Sequence, residues 1–209
     1  MHVRSRTSKK DLEIFEKFKN KNFFDSKEVS NLSKLLPEKK INILEIGFGD
    51  GKNLIEKAMT NSNMNFYGLE VFKSGIASVL KQAQIHDLDN LCLFYGDAKD
   101  FLVKTEKPFF DFIFILFPDP WPKKKHWKRR LIDLNFLNLI KQNLKKKGRL
   151  IVKTDWQDYA DDIKKDFAEF KISHDLNILQ SLKPIQTKYE GKAIEEGRKV
   201  FTYISDLNA

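Results

Sequence analysis

INILEIGFGDGKNLIEKAMT, residues 41–60, compresses a strand, a turn and a helix into one short stretch. Ile41–Ile46 is a compact apolar run, as a buried strand requires. Gly47, Gly49 and Gly51 follow at once, small enough to let the backbone turn sharply and approach a ligand. Gly51 to Thr60 then reads as a helix. The alternation continues outward. NFYGLE (65–70) is a second strand, and KSGIASVLKQAQIHD (73–87) spaces Ile76, Val79, Leu80 and Ala83 as a helix does. LCLFY (91–95) is a third strand and DAKDFLVK a short helix. DFIFILF (111–117) is apolar after its first residue, as expected of a central strand covered on both faces. RRLIDLNFLNLIKQNLKK (129–146) reads as a helix capped by Gly148, RLIVKT (149–154) as a fifth strand, and WQDYADDIKKDFAEF (156–170) as an amphipathic helix. Beyond it the pattern gives a weaker strand at 172–179, a loop over 180–197, and a strand RKVFTYIS (198–205). Residues 1–40 are expected to form an N-terminal helical extension of one or two helices, with Ser26 capping SKEVSNLSKLL. Residues 41–209 are then one α/β domain: a doubly wound, mostly parallel sheet with helices on both faces and its ligands at the carboxyl ends of the strands.

Those strand ends carry acids. Glu45 closes the first strand, Glu70 the second, and Asp97 follows the third by two residues; Asp119 and Asp155 follow the fourth and fifth. Any one of them serves well as a helix cap. Five on one edge of a sheet suit a ligand with hydroxyls, an amino group and positive charge. S-adenosylmethionine offers ribose, adenine, an ammonium and a sulfonium. The glycine loop agrees in part, since GxGxG lacks the last glycine of the dinucleotide pattern GxGxxG, where Lys52 stands.

FPDPWPKKKHWKRR (117–130) is the second distinctive stretch. Asp119 lies between two prolines at a strand end, and six of the eight residues Lys123–Arg130 are lysine or arginine. His126 and Trp127 interleave with them. Such clustering beside a rigid loop points to phosphate contact with a nucleic acid, where a charge run alone is more often a solvated helix face. The net charge of +9 has the same sign, although a chain rich in Lys, Asn, Ile and Phe acquires basicity from composition alone. The one cysteine, Cys92, excludes an intramolecular disulfide, sits in an apolar strand as a small hydrophobe, and fits a reducing, cytoplasmic setting. No apolar run is long enough to span a bilayer, and MHVRSRTSKKDLE lacks the apolar core of a secretory signal. No Cys/His spacing suggests a metal.

Taken together, LEIGFGDG, GLEV (68–71), FPDPWPKKKHWKRRL, KTDWQDYA (153–160) and TKYEGKA (187–193) resemble the bacterial tRNA (guanine-N7-)-methyltransferases over residues 40–205. The resemblance implies a Rossmann-like, class I S-adenosylmethionine-dependent fold and methylation of the variable-loop guanine at tRNA position 46, by a monomer or homodimer. It implies that Glu45, Glu70 and Asp97 contact the cofactor, together with Gly47, Gly49, Gly51 and Ala98 of the adjoining motifs. Asp119 would sit between cofactor and guanine. Lys123, Asp155 and Thr187, Lys188, Tyr189 and Glu190 would engage the tRNA, with Lys125, Lys128, Arg129 and Arg130 on its backbone. Lys125 departs from the family pattern KxRHxKRR; lysine keeps the charge and loses the bidentate fork.

Guanine N7 has an in-plane lone pair and no proton, so it attacks a sulfonium methyl directly. No strong base is needed, and positioning two bound partners is the main task. Asp119 is expected to accept from guanine N1–H and the N2 amino group, a donor pair that adenine lacks. Trp121 suits either stacking on the base or packing the loop. Two rivals stand beside this reading: a methyltransferase acting on an exocyclic amine, and a non-catalytic RNA-binding protein of the same fold. The first favours an acid or amide followed by two prolines and an aromatic, and Asp119-Pro120-Trp121 lacks the second proline. The second would be expected to have lost some of the site acids.

Overall fold

Alternation along the strands sorts the core of the protein onto two faces, as seen in a computed structural model that describes residues 8–19, 21–27, 31–37, 41–105, 107–168 and 182–205. Along Ile41–Ile46, Leu44 and Ile46 join one buried cluster while Ile43 joins the other. Ile113 and Ile115 of the apolar strand separate in the same way from Phe114 and Leu116. A strand with both faces covered needs this unbroken apolar run.

The elements follow in the order α1 (Lys9–Phe18), β1 (Phe23–Asp25), β2 (Ile41–Ile46), α2 (Lys52–Thr60), β3 (Met64–Glu70), α3 (Lys73–Ile85), β4 (Leu91–Tyr95), α4 (Ala98–Lys104), β5 (Phe110–Leu116), α5 (Leu134–Asn143), β6 (Leu144–Thr154), α6 (Gln157–Phe167), α7 (Lys188–Glu195) and β7 (Phe201–Ser205). Short 3-10 turns lie at Leu32–Lys34 and Lys124–Arg129. The sheet has the order β1-β4-β3-β2-β5-β6-β7. Every pairing is parallel except β6 with β7. From β2 the chain winds to β3 and β4, then crosses back to β5 and β6. The carboxyl ends of β2 and β5 therefore open on the switch point, where doubly wound sheets hold their ligands. The α/β architecture is the one the sequence predicts.

Three local expectations give way. Ser8 and Asp11 form a reciprocal capping box at the start of α1, but the next element is the strand β1 at the sheet edge. Ser26 caps no helix: it is buried, its N–H donates to Tyr95 O, and its Oγ lies where a Cβ on Gly96 would stand. The helix expected over 129–146 spans only Leu134–Asn143. Asp133 accepts from Phe136 N at its start, and Leu144 already pairs with Phe110 in the sheet. Gly148 lies within β6, where a Cβ would come 2.8 Å from Lys145 O and 3.1 Å from Phe110 O. Finally, the expected 180–197 loop contains α7, capped by the Thr187 hydroxyl, which accepts from Glu190 N. The expected strand at 172–179 lies outside the described residues.

Cys92 is buried in β4, and burial pushes its thiol well above the usual range. Among the described residues no helix is long and apolar enough to cross a membrane, and no cluster of His, Cys, Asp and Glu is suited to a metal ion.

Candidate active site

Glu45 is the fifth residue of β2, on the face that packs α2, and only 3% of its surface is exposed. Desolvation pushes its carboxyl up to about 7, opposed by a hydrogen bond from Asn53 and reinforced by Asp50 and Glu70. Asn53 Nδ2 donates to Glu45 Oε2 at 2.7 Å. Glu70 ends β3, equally buried, and its carboxylate organises the glycine loop. Oε2 accepts from Gly49 N at 2.9 Å, and Oε1 from Val71 N and Phe72 N at 2.6 and 2.9 Å. Burial raises the Glu70 carboxyl while those three amides pull it down.

The loop fits close against α3. Gly51 has φ of 77°, and a Cβ there would lie 2.0 Å from Val79 Cγ2. A Cβ on Gly75, in the first turn of α3, would meet Gly49 O at 2.1 Å. Glu45, Gly47, Phe48, Gly49, Asp50, Asn53 and Leu116 line a pocket whose remaining wall is Thr187, Lys188 and Tyr189. A backbone cradle between two buried carboxylates fits a cationic nucleoside such as S-adenosylmethionine. Asp97, at the neighbouring strand end, is exposed and caps α4 through Lys99 N and Asp100 N, with Ala98 buried behind it.

The loop Phe117–Trp121 leaves β5 on the other side of the pocket. Phe117 and Trp121 both take left-handed φ, 53° and 46°. Each precedes a proline, which disfavours the right-handed helical region. Such backbone costs of order 1 kcal/mol per residue and persists where surroundings enforce it. Phe117 N donates to Lys153 O, and the Phe117 ring stacks on Tyr189 at 6.5 Å. Asp119 stands exposed at the tip.

Arg130 departs from the expected backbone contact with tRNA. It is 6% exposed, sandwiched between the Trp127 and Tyr159 rings at 4.5 and 4.8 Å. Its Nε donates to Pro120 O at 2.9 Å, and its guanidinium pairs with Asp162. A cation so enclosed has no face for a phosphate. Lys123, Lys125, Lys128 and Arg129 are exposed, with Arg129 over the Trp121 ring at 4.9 Å. Trp121 packs the loop, its edge against His126.

Of the expected substrate residues, Thr187, Lys188 and Tyr189 line the pocket, whereas Lys123 and Asp155 do not. Thr187, Lys188, Tyr189 and Glu190 form the first turn of α7 over the pocket, and Glu190 pairs with Lys153 at 2.7 Å. Asp155, just past β6, binds Arg198 at 2.8 Å. Sequence reasoning missed Asn53, Lys153 and Arg198. Asn53 had one signal, a polar residue among the inward positions of α2; the two cations had none.

The model of the family described as "Putative methyltransferase" matches residues 39–203. A tRNA (guanine-N(7)-)-methyltransferase of Nitrosococcus oceani is 37% identical over 173 residues, 82% of this chain and 73% of its own length. A tRNA (guanine-N(7)-)-methyltransferase of Wolbachia pipientis wMel is 33% identical over 199 residues, 94% of this chain and 86% of its own. Among solved structures, a 30S ribosomal A1408 methyltransferase from an uncultured bacterium superposes with a TM-score of 0.59 at 16% identity, covering 88% of this chain and 94% of that one. That likeness concerns the fold.

Proposed function

Since the chain belongs to the tRNA (guanine-N7-)-methyltransferase family, we propose that it methylates N7 of the variable-loop guanine at position 46 of tRNA. It is an S-adenosylmethionine-dependent enzyme. The observation that carries the reading is the place of Asp119: it is close enough to Glu70 for its charge to raise that carboxyl, three residues past Leu116 of the pocket wall, and followed directly by the exposed cations Lys123–Arg129.

When bound, S-adenosylmethionine supplies a methyl group activated by a sulfonium. Ionised Glu45 binds the ammonium of the cofactor. Glu70, with three of about four acceptor sites taken by its amide donors, would accept from one ribose hydroxyl. Gly47 and Gly49 give close backbone approach, and Asp97 with Ala98 flanks the base. Asp119 takes both guanine donors, N1–H and N2–H, and so orients N7 without acting as a base. Asp155 and the turn Thr187–Glu190 hold the acceptor nucleotide from the opposite side. Lys123, Lys125, Lys128 and Arg129 bind phosphates, while Arg130 positions the Asp119 loop from beneath. His126 is held below the usual imidazole range by desolvation and by the neighbouring Arg129, Lys125, Lys123 and Lys128.

The test is transfer from labelled S-adenosylmethionine to unmodified tRNA transcripts, followed by digestion and identification of the nucleoside. The expected product is 7-methylguanosine in the variable loop. Label on another base would overturn the assigned role of Asp119 and the substrate together.

A further inference from the structure

We propose that Asn53 is a positioning residue that ties the cofactor pocket to the 182–190 segment, so that filling the pocket orders the turn against which the tRNA docks. The tRNA half of this statement rests on the function proposed above; the link itself does not.

Asn53 is buried in the first turn of α2, where its neighbours Leu54 and Ala58 serve packing alone. Its amide instead spans two elements. Nδ2 donates to Glu45 Oε2 at 2.7 Å, and Oδ1 accepts from Ile185 N at 3.1 Å, a partner 132 residues along the chain. Two residues further on, Thr187, Lys188 and Tyr189 wall the pocket that Glu45 floors. One side chain thus anchors the wall to the floor.

The two ends of a carboxamide differ: nitrogen donates and oxygen accepts. An ionised Glu45 only accepts, so it holds the Nδ2 end and leaves Oδ1 for Ile185 N–H. A protonated Glu45 can donate to Oδ1. It also keeps one acceptor oxygen, so both amide orientations become available, and in the rotated one Nδ2 faces Ile185 N–H, donor against donor. Burial places both forms of Glu45 within reach near neutrality, and the charges around it are Asp50, Glu70 and, on the pocket wall, Lys188. A cationic ligand beside Glu45 keeps it ionised and so keeps the amide turned toward the segment.

The experiment is hydrogen–deuterium exchange over residues 182–190 of the full chain, with and without saturating S-adenosylmethionine and with no RNA present. Cofactor binding is measured by calorimetry on the same samples. In the unsubstituted chain the cofactor should slow exchange roughly five- to tenfold, the equivalent of about one net hydrogen bond. Asn53→Leu keeps the volume and loses both bonds. Ile185→Pro removes the N–H, together with the isoleucine side chain and the freedom of φ, and leaves Asn53 on Glu45. Both should lose the cofactor's effect on exchange, and Ile185→Pro, which leaves the pocket lining intact, should still bind cofactor, which a general loss of stability would not do. Cofactor-dependent protection that survives in Ile185→Pro, or that is missing from the unsubstituted chain, overturns the proposal. KM for tRNA is read alongside. A raised KM with kcat unchanged joins the segment to the RNA. An unchanged KM with the exchange response lost keeps the Asn53 link and refutes Thr187–Glu190 as RNA contacts.

Discussion

Burial makes the charge on Glu45 costly, and that has consequences for both stability and binding. Its carboxyl lies near 7 in the folded chain against an ordinary 4.5. The folded state therefore binds more protons than the unfolded one between those values. The stability this contributes is complete below pH 4.5 and is lost as pH rises through 7. Glu45→Gln, neutral throughout, should stabilise the ligand-free chain at pH 8 by about 3 kcal/mol and flatten its pH dependence, measured by urea unfolding at pH 5.5 and 8. The same substitution should abolish the rise in cofactor affinity toward pH 7, since only the carboxylate attracts an ammonium. Asp119→Asn keeps the shape of the loop and converts one acceptor to a donor. Turnover should fall about 100-fold while cofactor affinity holds; intact turnover would refute its role. Arg130→Gln, which removes the charge, separates positioning from phosphate contact. Loss of the Nε bond to Pro120 O, of the Asp162 pair and of the stacking between two rings should cost about 2 kcal/mol of stability and lower kcat. The salt dependence of tRNA binding should not change, whereas loss of a phosphate ligand would reduce its slope by about one.

At the scale of elements, periodicity identified a segment wherever its own residues decided the outcome. β4 runs over Leu91–Tyr95 as its apolar run predicts, and α2 starts one residue after Gly51. Periodicity misled at places where another part of the chain supplies the hydrogen bonds. Leu144–Lys147 continues the helical pattern of α5, yet its backbone is taken into the sheet beside Phe110, and Gly148 permits the close approach. Phe23–Asp25 is too short to read as a strand alone and becomes one because β4 offers a free edge. α7 is eight residues, with one buried side chain, and depends on its cap. Thr187→Ala should cost about 1 kcal/mol locally and raise KM for tRNA, leaving cofactor affinity within about twofold. Calorimetry on the free enzyme and steady-state kinetics on tRNA together check it.

At the scale of the whole molecule, one sheet edge gathers buried acids and one rim gathers exposed cations. Replacing Lys123, Lys125 and Lys128 together by Gln should flatten the salt dependence of tRNA binding by about three in slope and leave cofactor affinity alone. The doubly wound, mostly parallel character of the sheet follows from the sequence by itself. Strand–helix alternation, right-handed crossovers and the glycine turn after β2 place Glu45, Glu70, Asp97, Asp119 and Asp155 on one edge, because a parallel strand always ends on the same side. What only the tertiary structure decided is which of those groups are free to act. Arg130 and Lys128 are alike in a sequence, but one is enclosed by Trp127 and Tyr159 and the other is exposed. Glu190 and Lys153, Asp155 and Arg198, and Asn53 with Ile185 meet across 37, 43 and 132 residues of chain. No local pattern encodes those meetings, since burial and pairing are set by whichever surfaces the folded chain brings together.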